Sequence, residues 1–313
     1  MSANKTLLKQ TLIYGIATVL PRVISFLLVG LHTDLMPKVA YGEITILLAY
    51  MIFFNVILSY GMETAFFRFY HKEENKNEVI STATVSIFWS TVLFLCITLL
   101  FQKTLAGLLN VDKEYVNYAI WILAFDALVI IPFSKLRAEQ KAIKYSVLKI
   151  SNVIINMLLN VFLLAILPKL AHANPQGFWS TFYFEEYQIG YVFLANLIAS
   201  LFTFVLFMPH YFQPNWIFNK ELWQKMIQYS WPILFAGLAF GINEHLDKIL
   251  LSEWLDPATA KAAVGAYSAC YKIGLFMVLF RTAYTLGIEP FFFSQAGNTN
   301  APQTYATITK YFV

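Results

Sequence analysis

Residues 229–290 read YSWPILFAGLAFGINEHLDKILLSEWLDPATAKAAVGAYSACYKIGLFMVLFRTAYTLGIEP. Two mostly apolar runs flank a short polar turn, and each has the roughly 20 residues that a helix needs to cross about 30 Å of hydrocarbon. The runs nevertheless carry Glu244, His245, Asp247, Lys248, Lys272 and Arg281. An ionisable group at the centre of a membrane helix costs about 2.5–3.5 kcal/mol on insertion scales, so such groups face a bundle interior or a watery cavity. An anchor has no use for six of them. The stretch reads as part of a transporter- or channel-like bundle.

The rest of the chain agrees. Of its 313 residues 58% are hydrophobic and 13% charged, against about 45–50% and 25% in a soluble domain. Repeated apolar runs between short polar loops define an all-α polytopic membrane protein. The expected spans are 11–31, 44–67, 80–101, 115–133, 147–167, 190–207, 229–251 and 264–288, and QTYATITKYFV at 303–313 resembles the start of a ninth. The expectation is a piece of a longer protein. No small-residue cleavage pattern follows the polar start MSANKTLLKQ, so the first helix serves as its own insertion signal. Cys96 and Cys270 lie inside apolar runs and read as small buried residues.

Lys and Arg set the orientation. With the N-terminus in the cytoplasm, thirteen of the 22 fall in inner segments and five, Lys38, Lys103, Lys113, Lys169 and Lys261, in outer loops. That is the bias of the positive-inside rule. The outer segment 168–188 carries Phe178, Trp179, Phe182, Tyr183, Phe184 and Tyr187, an aromatic belt. Between 213 and 228, Asn219 can cap a helix with the apolar stripe Leu222, Trp223, Met226 and Ile227, expected to lie on the inner membrane surface. The domain organisation expected is a first six-helix lobe over 1–210, a linker helix over 211–228 and the start of a second lobe over 229–313.

The chain also repeats. Leu7-Leu8-Lys9-Gln10 before Tyr14-Gly15 is matched by Leu222-Trp223-Gln224-Lys225 before Tyr229-Ser230, and His32-Thr33-Asp34 by His245-Leu246-Asp247. Tyr41-Gly42 then opens helix two, and Gly265-Ala266-Tyr267 helix eight. Six helices separate the copies, so both have the same orientation about an axis along the membrane normal, and parallel repeats hold substrate between their halves.

Three runs carry a family resemblance. YGEITILLAYMIFFNVILSYGMETAFFRFY (41–70) is similar to the second helix of bacterial polysaccharide biosynthesis proteins, the oligosaccharide (O-antigen type) flippases. LDKILLSEWLDPATAKAAVGAYSACYKIG (246–274) resembles their seventh and eighth helices, and NKELWQKMIQYSWPILFAG (219–237) the segment between their lobes. The superfamily includes multidrug and toxin extruders and the lipid II flippase. The resemblance implies a MATE-like two-lobe bundle of 12 to 14 helices with alternating access, here truncated after about eight to nine. It implies a flippase for a polyprenyl-pyrophosphate-linked oligosaccharide in the bacterial inner membrane, working beside polysaccharide (lipopolysaccharide) assembly enzymes. DPATAKA is longer than the family's usual turn between helices seven and eight.

Such a substrate presents a pyrophosphate, sugars and a lipid tail. Pyrophosphate wants cations in a wet cavity, and arginine offers paired donors that match its oxygens. In helix one Gly15, Thr18, Arg22 and Ser25 share a face, with Arg22 near mid-membrane beside a kink-forming Pro21. Arg22, Thr18 and Ser25 are therefore candidate substrate contacts; a packing ion pair for Arg22 is the alternative. Asn152, Asn156 and Asn160 recur every fourth residue, to bind sugar or to bond neighbouring helices. Lys272 and Arg281 lie nine residues apart on opposite sides of helix eight; Lys272 is the better cavity candidate, and Arg281 can snorkel. Asp126, Glu244, Asp247 and Lys248 are candidates for H+ or Na+ coupling or for a gate, with Glu244 and Lys248 spaced for an ion pair.

No metal spacing, phosphate-cradling loop or nucleophile motif is present, so neither an enzyme, a cofactor nor a nucleic-acid partner is expected. A cation-coupled drug extruder of the same fold is the competing reading. It would carry a buried carboxylate near mid-helix one, where this chain has Arg22, and a cationic pocket is a poor host for cationic drugs. A membrane glycosyltransferase would need a large outer loop with catalytic residues, and the longest here is short and aromatic.

Overall fold

The second expected span is a helix broken near its middle. In the computed structural model, which describes residues 19–21, 23–212, 216–274, 303 and 306, α1 covers the described residues of 19–35 and α2 runs Lys38–Ser59. Tyr60 (φ 33°) and Gly61 (φ 72°) then turn left-handed before α3, Met62–Lys72. Glycine adopts that conformation without a Cβ penalty. At Gly61 a Cβ would also lie 2.6 Å from the Ser230 carbonyl oxygen, so the break doubles as a seat for the later helix.

The chain continues as α4 (Lys76–Leu100), α5 (Gln102–Leu109), α6 (Lys113–Leu128), α7 (Ile130–Ala138) and α8 (Ala142–Val161). Asn75 caps α4 by accepting from the Glu78 amide at 3.3 Å. A π-helical turn, Phe162–Ile166, links α8 to α9, Leu167–Ala173. Pro168 explains it: proline removes an N–H and crowds the carbonyl of Leu164 four residues back, and the wider turn absorbs both faults. After a 3-10 turn at Phe178–Phe182 come α10, Gln188–Tyr211, and α11, Lys220–Trp254.

Five of these helical stretches are long and apolar enough to cross a membrane: Lys38–Lys72, Lys76–Leu100, Lys113–Ala138, Ala142–Ala173 and Gln188–Tyr211. They are the expected second to sixth spans, four of them longer at both ends. Among the described residues there is no strand.

Residues Met1–Ser268 and Ala269–Val313 form two compact units. In the first, α10 packs on α6 and α8, α4 on α6, and α11 along α2 and α3. One apolar cluster, with Ile44, Leu47, Ile122 and Phe193 at its centre, joins α2, α6 and α10 toward the end carrying Lys38. A second, around Phe66, Val79, Ile87 and Met226, joins α3, α4, α7 and α11 toward the end carrying Lys72.

Three local expectations change. The helix expected over 219–228 is the first part of α11, which runs unbroken through Pro232. Asn219 caps it as expected, accepting from the Leu222 amide at 3.0 Å. Its side chain also donates to Glu78 at 2.6 Å, which ties the helix start to α4, and Leu222 and Met226 face protein rather than the membrane surface. DPATAKA is not a loop: Asp256 accepts from the Ala258 amide at 2.9 Å, and Pro257 opens the next helix, α12, whose part in this unit is 257–268. Cys96 and Cys270 are exposed, not buried.

In the second unit residues 269–274 are helical; Lys272 is half-buried there and Cys270 exposed.

Candidate functional site

Polar side chains in the five-span bundle gather on one stripe of α8. Asn152 donates to the Ala199 carbonyl and to Thr203 Oγ1, both at 2.9 Å, joining α8 to α10. About two turns on, Asn160 donates to the Asn156 carbonyl at 2.8 Å and to Asn156 Oδ1 at 2.7 Å. Asn160 Oδ1 in turn accepts from His32 Nε2 of α1 at 2.9 Å. Asn160 is 1% exposed, so an unmade bond there would cost the full desolvation penalty. Asp126 of α6 accepts from Ser200 Oγ at 2.8 Å, and the Lys149 ammonium lies 4.5 Å from the Phe133 ring centre. The stripe thus fastens α1, α8 and α10 through hydrogen bonds.

The charged group of α11 forms around Lys248, which is buried. Its ammonium meets both Asp247 oxygens at 2.9 and 3.1 Å and the Glu244 main-chain carbonyl at 3.0 Å. Asp247 also accepts from the Tyr267 hydroxyl of α12 at 2.6 Å. The salt bridge therefore runs to the adjacent carboxylate, while Glu244 contributes its main chain to the ammonium. Three oxygens of α11 meet the buried ammonium, and the Tyr267 hydroxyl of α12 bonds the carboxylate that balances it, as a low-dielectric site requires.

Near this cluster α2 and α12 cross through two glycines. A Cβ on Gly42 would lie 1.7 Å from the Lys261 carbonyl oxygen and 3.0 Å from the Gly265 nitrogen. A Cβ on Gly265 would lie 2.2 Å from the Lys38 carbonyl oxygen and 3.0 Å from the Gly42 nitrogen. Lys38 stands four residues before Gly42, and Lys261 four before Gly265, so the contact is reciprocal about a local two-fold. The sequences agree: Lys38-Val39-Ala40-Tyr41-Gly42 and Lys261-Ala262-Ala263-Val264-Gly265 share Lys-x-Ala-x-Gly. Small residues allow this close backbone approach between membrane helices. Lys261 adds an ion pair to Glu43 at 2.8 Å and a bond to the Asn110 carbonyl at 3.0 Å.

Of the residues singled out in the sequence, Thr18, Arg22 and Arg281 lie outside the described residues. Ser25 is exposed on α1. Asn152 and Asn156 belong to the α8 stripe, Asp126 to the same bundle, and Glu244, Asp247 and Lys248 to the α11 cluster. Lys272 belongs to the second unit. Matching the helix starts at Tyr41-Gly42 and Gly265-Ala266-Tyr267 leaves out the preceding lysines and so does not single out the crossing glycines. The five-residue register Lys-x-Ala-x-Gly was the available signal.

Five helical stretches long and apolar enough to span a bilayer make this a multi-pass membrane protein. The family model for polysaccharide biosynthesis proteins matches residues 7–292, and the chain belongs to that family. No curated protein and no solved structure shows a significant match to the chain.

Proposed function

We propose that the protein is a flippase that moves a polyprenyl-pyrophosphate-linked oligosaccharide across the inner membrane by alternating access. Its N-terminus is cytoplasmic, residues 1–210 form the first lobe, 211–228 the connection and 229–313 the start of the second lobe. The observation that carries this reading is the reciprocal Gly42–Gly265 crossing. Two related helices meeting about a two-fold is what a parallel repeat produces where its halves touch, and such halves rock about a shared site. Family membership supports the saccharide side of the reading.

Arg22, Lys272 and Arg281 supply positive charge for the pyrophosphate, and Thr18, Ser25, Asn152 and Asn156 polar contacts for sugar. Asn152 is already bonded inside its bundle, so Ser25, exposed on α1, is the more available of the neutral groups. Asp126, Glu244, Asp247 and Lys248 are the groups through which H+ or Na+ would couple.

The test compares Arg22→Ala, Arg22→Lys and Arg22→Ala with Asp126→Ala in cells lacking the wild-type protein. Surface glycan, inner-leaflet lipid-linked oligosaccharide and protein level are measured together. The proposal expects Arg22→Ala to abolish export at normal protein level, Arg22→Lys to retain part of it, and lipid-linked oligosaccharide to accumulate. Recovery in the double variant would instead make Arg22 the packing partner of Asp126. Normal glycan in cells lacking the protein, with heightened sensitivity to cationic drugs, overturns the flippase reading.

A further inference from the structure

The aromatic residues expected as a belt are assembled into a cavity. It is an open cavity with a volume of about 610 Å³, bounded by the start of α6, the π turn, the 3-10 turn and the start of α10. That size falls within the roughly 300–1,000 Å³ of small-molecule sites. Phe178, Trp179, Phe182 and Phe184 line it and are 69%, 41%, 51% and 59% exposed. Neighbouring rings stand steeply to one another: 75° for Phe178–Trp179, 62° for Phe178–Phe182 and 70° for Phe162–Trp179. In edge-to-face pairs of this kind each ring keeps at least one face uncovered by its partner.

Two carboxylates share the lining, Glu114 and Glu185, and no lysine or arginine does. Glu114 is held in place: its Oε1 accepts from the Tyr118 hydroxyl at 2.9 Å and from the Tyr187 hydroxyl. The Tyr191 hydroxyl accepts from the Phe184 amide at 2.7 Å and donates to the Phe182 carbonyl at 2.9 Å, which fixes the aromatic loop over α10. Leu163, Leu167 and Leu194 make the floor.

Ring faces and carboxylates around one space attract a cation, most strongly when water is excluded. A pyrophosphate or another anion is repelled. The cavity also lies where three spans end, with α6 starting at Lys113, Ala142–Ala173 finishing and α10 starting at Gln188. That is headgroup level, where aromatic side chains gather. We infer that this cavity binds the ammonium headgroup of a bilayer phospholipid, with the adjoining lipid chain on the leucine floor. The site is independent of what passes between the lobes.

The full chain is placed in nanodiscs of equal parts phosphatidylethanolamine and phosphatidylglycerol, and the lipids it retains are counted by native mass spectrometry. The expected result is a preference for phosphatidylethanolamine on the order of tenfold, as one desolvated cation contact supplies. Glu114→Gln with Glu185→Gln keeps an acceptor for both tyrosines and removes the charge, and should bring the ratio near one. Glu185→Gln alone, at an exposed position, should lower the ratio about threefold should the double variant fold poorly. Equal retention of the two lipids by the wild type, or an unchanged preference in the variants, overturns the inference. So does displacement of the bound lipid by maltotriose at lower concentration than by tetramethylammonium, which would mark a sugar site.

Discussion

Gly42→Ala adds one methyl group at the tightest point of the α2–α12 crossing. The new carbon would sit 1.7 Å from the Lys261 carbonyl oxygen and 2.7 Å from its carbonyl carbon. Ordinary contact needs about 3.4 Å, so the backbones must separate by roughly 1.7 Å, at the cost of about 1–3 kcal/mol typical of overpacking. No flexible side chain can yield, because both contacting atoms are main chain. Alanine meanwhile favours the helix itself by about 1 kcal/mol over glycine, so α2 stays folded and the strain falls on the crossing. Val264 and Ala260, 0% and 3% exposed, lie on the strained side and report it. In a Cys96→Ser, Cys270→Ser background, Val264→Cys should resist a polar maleimide in detergent, and adding Gly42→Ala should speed its labelling on the order of tenfold. Gly265→Ala, with its carbon 2.2 Å from the Lys38 oxygen, should act likewise, and the two together less than additively, because one separation relieves both. Unchanged protection of Val264→Cys with unchanged thermal stability in both single variants would refute the reasoning.

At Gly61 both φ of 72° and the 2.6 Å approach of the Ser230 oxygen oppose a side chain, so Gly61→Ala should lower unfolding free energy by about 1–3 kcal/mol. Gly61→Asn tolerates the φ but not the clash, and thermal unfolding should show no rescue. For sidedness, Asn75→Cys in intact spheroplasts should escape an impermeant thiol reagent while Asn174→Cys is labelled; the reverse pattern inverts the topology. Burial, then the bond to Glu114, raises the Tyr187 phenol above its ordinary value of 10.0. A raised pKa contributes stability that is whole below about pH 10 and declines as pH climbs toward the folded value. Thermal unfolding between about pH 8 and 11 should therefore fall off less steeply for Tyr187→Phe than for the wild type, and equal slopes would remove the tyrosine from the account.

Hydrophobic runs located the second to sixth spans, because a bilayer imposes one length and one polarity on any helix that crosses it. What lay inside the runs was less legible. The break at Tyr60-Gly61 depends on Ser230, 169 residues away in sequence, and no local pattern announces a partner at that distance. The π turn is more local, since Pro168 is its cause, yet proline in a membrane helix can equally kink it. The nominal surface helix merged with α11 because nothing between Asn219 and Pro232 stops a helix, and a long one is favoured when its apolar stripe meets a core. Among candidate site residues, spacing suggests Glu244 for Lys248, whereas Asp247 meets the ammonium from the adjacent position and Tyr267 bonds the same carboxylate. Asn152, Asn156 and Asn160 were legible as a stripe, whereas their partners Thr203 and His32 come from other helices and could not be read from α8.

The two ends of α11 and α12 are held to α2–α4 in different ways, and under alternating access the difference has a consequence. At the Lys72 end the bonds are directional: Asn219 donates to Glu78, Trp223 Nε1 donates to Ser86 Oγ at 2.8 Å, and Ser86 shares a hydrogen with Tyr60 at 2.7 Å. Arg68 stacks over Tyr229 at 4.3 Å, and Met226 is fully buried beside them. Parting these groups would break three directional bonds, each worth about 0.5–1.5 kcal/mol net, and uncover the buried Met226. At the Gly42 end the contact is mainly apposed main chain, whose N–H and C=O groups stay satisfied within their own helices when they separate. Lys261 is the exception: it bonds Glu43 and the Asn110 carbonyl, and its 27% exposed side chain lets water take over part of what it loses. The Lys72 end therefore suits a hinge and the Gly42 end a seal, and a rocking motion that opened the glycine crossing would cost less than one that opened the tryptophan–serine contact.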